Sequence, residues 1–488
     1  MGHDAQVLPV HRVLAALALS ALSGLLLPVV PASAADVPLP RNDPFYTYTG
    51  ATPLAQVARG TVLKSRPVTL AADVNTTPLP ATQLLYRTQD EIGHPTATVT
   101  TVITPPGSTV LPKVIAYLSF YDSLSDKCDP SYTLRGGDPG APNQQLSDAE
   151  QAFVQAYAAT GNVVTVPDFE GPGLHWTAGH EAGWSTLDAV RATEAFLSAP
   201  ASTMVGLTGY SGGSIAADWA AELAPTYAPE LNLVGVAAGG VPVHFAHNLD
   251  YVNGSPEWSG IIPAVFTALS RSYGLDLDTY LSDYGKQLVA KDSTGCIGDF
   301  NGTHPGLKVE QLLKPQYRDI YAQQPFVDII NKLIMGTAPG RPKPPMFLAV
   351  GNNGSSIGDD IMVTKDVEAL AHEYCSQGVD VLYEEYPRLA HTEAAVAFEP
   401  NAVAFLEQRF AGLPMVGNCG SVGTGNSLAP VVLHRSTPSS APTHGTTGTR
   451  GRPGSGGALA ATGGLPLVGY SALLLLTLAG LGRRALRR

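Results

Sequence analysis

Apolar positions along this chain alternate between two spacings. Short apolar runs at 114–119, 162–166, 204–208, 233–238 and 347–350, with 381–386 after them, are the pattern of strands buried on both faces of a sheet. Between them, 147–160, 185–197, 214–224, 364–376 and 400–410 are rich in helix formers. Ser185 and Asp188 resemble a capping box that opens the second of these helices, and Pro225 can stop the third. Three earlier segments, 61–66, 83–88 and the β-branched 96–104, predict strands without helices between them. Such alternation predicts an α/β fold with a mostly parallel central sheet. Between 238 and 347 the rhythm breaks: 257–273 and 277–290 predict partly amphipathic helices and no buried strand. An insertion of this kind builds a helical cap over about 244–335; helices that only cover the core are the other reading.

Both ends depart from the pattern. Arg12 closes a short basic region, an apolar run extends from 13 to 30, and Ala32-Ser33-Ala34 is a small-residue cleavage site. Residues 1–34 therefore read as a signal peptide, with a retained anchor as the alternative. The Pro-rich stretch 35–60 is expected to wrap the surface. Residues 421–458 are dominated by Gly, Ser, Thr, Pro and Ala and predict a disordered linker, so the folded domain is expected over 35–420. In 459–488, Leu459-Ala460-Ala461-Thr462-Gly463 precedes an apolar run at 465–481 and a basic end, Arg483 to Arg488. That order resembles a sortase sorting signal. The resemblance implies a Gram-positive cell surface, with sortase cutting between Thr462 and Gly463; a plain C-terminal membrane anchor is the alternative.

Composition narrows the partners. The 488 residues are 44% apolar, enough for a sizeable core, and carry a formal net charge of −12. No basic block lies in the central region, which excludes nucleic acid as a partner. Export implies an oxidising compartment. The four cysteines, Cys128, Cys296, Cys375 and Cys419, are too widely spaced for CxxC chemistry and suggest two disulfides, with three pairings open.

The candidate chemistry centres on Gly209-Tyr210-Ser211-Gly212-Gly213. G-x-S-x-G is a weak signal in a chain with 51 glycines, and 354–358, around Ser356, matches it too. Only Ser211 lies between a predicted strand and a predicted helix, the context of a nucleophile elbow. A serine hydroxyl needs a base and an orienting carboxylate. His391 follows the 381–386 strand by a short loop, and Asp359 and Asp360 follow the 347–350 strand. The order Ser, acid, His is that of α/β-hydrolases. His372 is mid-helix, and His434 and His444 lie in the linker. His180-Glu181 lacks the second His of H-E-x-x-H, and His244 with His247 lack a third ligand, so no metal and no cofactor is expected.

Several stretches resemble the secretory lipase family, α/β-hydrolases related to yeast lipase A. They are Asp43-Pro44-Phe45-Tyr46, Phe120-Tyr121-Asp122-Ser123 with Cys128-Asp129-Pro130-Ser131-Tyr132, and Asp168-Phe169-Glu170-Gly171. The block 178–183, the elbow running on through 219–231, and Tyr386-Pro387-Arg388-Leu389-Ala390-His391 complete the match. The resemblance implies an α/β-hydrolase fold with a helical cap, and an extracellular lipase or carboxylesterase acting on acylglycerols or other lipid esters. It assigns Ser211 as nucleophile, His391 as base, Asp359 as acid, and Asp122 with the N–H of Gly212 as the oxyanion hole. It also pairs Cys128 with Cys296 and Cys375 with Cys419. The acid loop, 351–360, is longer than the family pattern, which leaves Asp360 as a rival. Acyl transfer by the same triad and a non-catalytic wall-anchored binding protein are the competing functions.

Overall fold

The computed structural model describes residues 37–71, 78–105, 113–138, 141–355 and 357–435; the expected signal peptide and sorting signal lie outside them. The described residues from Pro38 onward belong to one unit. Its strands are β1 (Val62–Leu70), β2 (Leu79–Gln89), β3 (Pro95–Ile103), β4 (Val114–Leu118), β5 (Val163–Pro167), β6 (Met204–Tyr210), β7 (Asn232–Gly239), β8 (Met346–Gly351) and β9 (Val381–Tyr386). They make one sheet in the order β1-β2-β3-β5-β4-β6-β7-β8-β9. The first three are antiparallel to their neighbours, and every pairing from β5 to β9 is parallel.

The two-residue period of the strands divides two cores. Val114, Ala116 and Leu118 of β4, with Met346, Leu348 and Val350 of β8, enter the larger one. Ile115, Tyr117, Phe347 and Ala349, their neighbours in sequence, enter the other. The second face is covered by α1 (Pro142–Ala159) and α9 (His391–Phe410), through Phe153, Tyr157, Phe398 and Phe405. The first is covered by α2 (Gly179–Leu197), α3 (Gly212–Tyr227) and α8 (Thr364–Ser376). This is an α/β-hydrolase fold, as the family resemblance implies, and its α/β class with a mostly parallel sheet is what the alternation predicts.

The segment between β7 and β8 is helical, as expected, with α4 (Phe245–Val252), α5 (Ile261–Tyr273), α6 (Asp283–Asp292) and α7 (Gln324–Lys332). The predicted helix at 277–290 is two pieces: Leu277–Tyr280, then α6, whose N-terminus is capped by Ser282 on the N–H of Gly285.

Other boundaries differ from expectation. The helix expected from Ser185 begins at Gly179, and Ser185 is fully buried mid-helix, where its carbonyl accepts from the hydroxyl of Tyr86 at 2.9 Å. Pro225 lies inside α3, and Pro400 inside α9. The linker expected from Ser421 begins too early. Residues 421–435 run along the domain, with Val422, Leu428 and Val431 packed on the core. Asn331 of α7 exchanges two hydrogen bonds with the backbone of Val431, at 2.7 and 3.0 Å. Disulfides join Cys128 to Cys296 and Cys375 to Cys419. The first links the stretch after β4 to the helical insertion across 168 residues, and the second fixes the segment after α9 to α8. No helix among the described residues is long and apolar enough to cross a membrane.

Candidate active site

Ser211 is the hinge between β6 and α3, with φ 52° and ψ −123°, in a backbone region that L residues seldom occupy. The turn closes because its neighbours lack side chains. A Cβ on Gly209 would overlap the carbonyl of Gly213, and one on Gly213 would overlap that of Leu118. The backbone N–H of Ser211 donates to the carbonyl of Gly239 at 2.9 Å, which fastens the turn to β7.

Ser211 Oγ lies 2.8 Å from His391 Nε2, and His391 Nδ1 lies 2.9 Å from Asp359 Oδ2. Asp359 is fully buried, and its other oxygen accepts the N–H of Met362 at 2.7 Å. With the proton on Nδ1 directed at Asp359, Nε2 is the ring atom placed to accept from the serine hydroxyl. His391 is the first residue of α9 and is fixed twice more. Its N–H donates to the carbonyl of Asp359 at 2.8 Å, and its own carbonyl accepts from the hydroxyl of Tyr210 at 2.7 Å. Asp360 does not reach the histidine. Its backbone has φ 91°, its N–H donates to the hydroxyl of Tyr251 at 3.2 Å, and its carboxylate accepts from the amide of Asn353. Ser356 lies outside the described residues.

On the opposite side, Asp122 follows β4 with φ 33° and is 3% exposed. Its carboxyl rests against the α-carbon of Gly212, and its Oδ1 finds no partner among the described residues. Burial pushes its pKa up to about 7, against the pull of a hydrogen bond from Trp176 and of His391. Two buried carboxyls hold this stretch in place. Glu150 accepts from the hydroxyl of Ser119 at 2.7 Å and the N–H of Phe120 at 3.1 Å, and Glu170 accepts the N–H of Ser123 at 3.1 Å. Burial raises both pKa values, that of Glu150 to about 7.

Ser211 and Asp122 open onto a cavity of about 110 Å³. Its walls are mostly apolar, with Ile215 and Trp219 from α3, Leu249 from α4, Val265 from α5, and Trp176 and Trp258. That suits a hydrocarbon chain next to a reacting carbonyl. Tyr210, Trp176 and Trp258 are absent from the sequence-level site. Tyr210 could be found, because it fills the variable position of G-x-S-x-G; Trp176 sits in a loop that carries no periodicity. The histidines of the rejected metal motifs have other partners. His180 Nδ1 lies 3.0 Å from Glu91, and the rings of His244 and His247 stack 3.8 Å apart. No group among the described residues could hold a metal ion.

A parallel sheet, a strand–turn–helix that presents a serine, and a histidine and buried aspartate in line with it define the α/β-hydrolase class. Residues 142–418 match the secretory lipase family. Over 392 residues, 77% of this chain and 84% of the relative, the sequence is 34% identical to a "probable inactive lipase" of Mycobacterium tuberculosis. It is 33% identical over 402 residues to lipase A of Arthroderma benhamiae, covering 79% of this chain and 83% of that one. The structure resembles Candida antarctica lipase A in its closed state, with TM-score 0.71 and 29% identity over 80% of this chain and 93% of that one. The chain belongs to the secretory lipase family, lipid ester hydrolases of the α/β-hydrolase fold.

Proposed function

We propose that this protein is an active serine lipase or carboxylesterase that hydrolyses acylglycerols or other lipid esters. The observation that carries this reading is the continuous path from Ser211 Oγ through His391 to Asp359, opening onto an apolar cavity. His391 takes the proton of Ser211 as Oγ attacks the ester carbonyl. Asp359 stabilises the imidazolium that forms. The backbone N–H groups of Asp122 and Gly212 receive the oxyanion, each contributing about 2.7–4 kcal/mol to the transition state. The alcohol leaves with the proton from His391, and water then hydrolyses the acyl-enzyme by the same steps reversed. Ser211→Ala is expected to abolish hydrolysis of a p-nitrophenyl ester; turnover close to wild type removes Ser211 from the mechanism.

One relative is named a probable inactive lipase, so a catalytically dead scaffold is the reading to separate. The hydrogen-bonded Ser211, His391 and Asp359 favour activity. A fluorophosphonate probe labels the wild type and not Ser211→Ala if the site is competent. Acyl transfer to an alcohol would use the same residues, and product analysis in the presence of glycerol distinguishes it from hydrolysis.

The protein acts outside the cell in this proposal. The apolar run after Arg12 and the two disulfides support export. Attachment to a Gram-positive wall through Thr462, after sortase cleavage at Thr462-Gly463, rests on the order of motif, apolar run and basic end. Mass spectrometry of the wall-released protein tests it: a C-terminus other than Thr462 rules out the sortase step.

A further inference from the structure

The triad acid lies in a tight turn, and a helix of the insertion binds the backbone of that turn. Within 359–362, the N–H of Asp359 donates to the carbonyl of Met362 at 3.1 Å. Asp359 Oδ1 accepts the N–H groups of Ile361 and Met362, at 3.3 and 2.7 Å, so the turn orients the carboxylate whose other oxygen meets His391. Two more backbone groups of the turn go to α4. The carbonyl of Ile361 accepts from the side-chain amide of Asn248 at 2.8 Å, and the N–H of Asp360 donates to the hydroxyl of Tyr251 at 3.2 Å. Asn248 and Tyr251 are an i, i+3 pair, so they share a face of the helix. The ring of Tyr251 also packs on Gly358, where a side chain would overlap it. His247, beside Asn248, ties the same helix to Asp366 in the first turn of α8, 3.0 Å away. From this we propose that Asn248 and Tyr251 are positioning residues of the triad: from α4 they hold the turn so that Asp359, and not Asp360, faces His391. The proposal rests on the triad reading above.

The turn needs such a hold because it is strained. Asp360 has φ 91°, a conformation that costs an L residue free energy and persists only where its surroundings fix it. Asp359 Oδ1 is tied to the turn itself, so a turn that relaxes at Asp360 carries Oδ2 away from His391. Helix α4 is a firm support. Leu249 and Val252, one position on from each of the two residues, are buried in the larger core. The triad acid thus depends on the helical insertion as well as on the sheet.

Tyr251→Phe keeps the ring and removes the acceptor; Asn248→Leu keeps the shape and removes the donor. Each is measured on the full chain with a p-nitrophenyl ester, kcat and KM separately. Each should lower kcat about tenfold, the effect of one hydrogen bond. Tyr251 does not line the cavity, so KM of Tyr251→Phe should stay within about twofold of wild type. The discriminating measurement is a double-mutant cycle with Asp359→Asn, read from the rate at which a fluorophosphonate labels Ser211, one event per molecule. Tyr251→Phe should slow labelling about tenfold in the otherwise wild-type chain. In Asp359→Asn it should slow labelling less than about twofold, because the carboxylate it positions is already gone. Asn248→Leu runs through the same cycle, so the test survives if one variant does not fold. Losses that multiply in full overturn the proposal, since the two residues then act elsewhere. So do kcat values of both variants within about twofold of a Ser211-dependent wild type, and the triad is left standing. A wild type that neither hydrolyses the ester nor takes up the label overturns the triad reading, and the positioning with it.

Discussion

The carboxyl of Asp122 lies against the α-carbon of Gly212, so close that a methyl group on Gly212 would overlap its Oδ1. These two residues stand on the two sides of Ser211 and come from separate strand ends, β4 and β6. Gly212→Ala must push Asp122 away, and with it the N–H proposed for the oxyanion. Helix α3 itself would welcome alanine. The expected outcome is a folded protein, by circular dichroism and melting temperature, with kcat down by about 10²–10³.

Asp122 also ties the reaction to pH. Its pKa is raised to about 7, so the carboxyl is neutral below that value and ionised above it. An anion beside the proposed oxyanion position repels the negative charge of the transition state, whereas the neutral acid does not. The kcat of the wild type should therefore decline as pH rises through about 7. Asp122→Asn keeps shape and neutrality, so its kcat should lack that alkaline decline. A wild-type kcat that is flat from pH 7 to 9 separates the carboxyl from catalysis.

Asp359 and Asp360 are adjacent in sequence but face different partners. Asp359 meets His391 at 2.9 Å and is fully buried; Asp360 meets Asn353 and Tyr251. Asp359→Asn offers His391 an amide that favours the wrong tautomer, and kcat should drop about 10⁴-fold. Asp360→Asn should stay within about threefold of wild type. Equal losses in the two variants would make the loop, rather than one carboxylate, the catalytic unit.

How much of this is legible in the sequence depends on where the constraint acts. The inner parallel strands are legible because they bury both faces, so β4 and β8 are apolar at successive positions whichever core a residue enters. The start of α2 is not. Ser185 looks like a cap because serine usually serves there, yet it is fully buried against Tyr86, and tertiary packing overrides its local preference. The start of α9 is hidden by Pro400, which suits a first helical turn but sits in the interior of a helix that begins at His391. The three triad residues follow from motif, order and loop position. The choice between Asp359 and Asp360 does not, because one step along the loop reverses which carboxyl faces inward. The cavity walls are least legible, since Trp176 and Trp258 meet Ser211 only in three dimensions.

Composition alone misplaces the end of the domain, and the contacts there say what the extra residues do. Between 421 and 435 the chain bridges the helical insertion and α8. The N–H of His434 donates to the carbonyl of Tyr321 at 2.8 Å, and Val431 pairs with Asn331 of α7. Asn426 donates to Lys365 through its backbone at 3.0 Å and to the fully buried carboxylate of Asp366 through its side chain at 2.8 Å. That carboxylate also holds His247 of α4, 3.0 Å away. Ending the chain after residue 420 removes these bonds and uncovers the core beneath Val422, Leu428 and Val431. Several partly buried bonds at about 1 kcal/mol each, with the apolar contacts, correspond to a melting temperature lower by roughly 5–10 °C. Ending it after residue 435 should leave the melting temperature unchanged. Equal melting of the two truncated chains would mean that the segment lies on the domain without holding the insertion to α8.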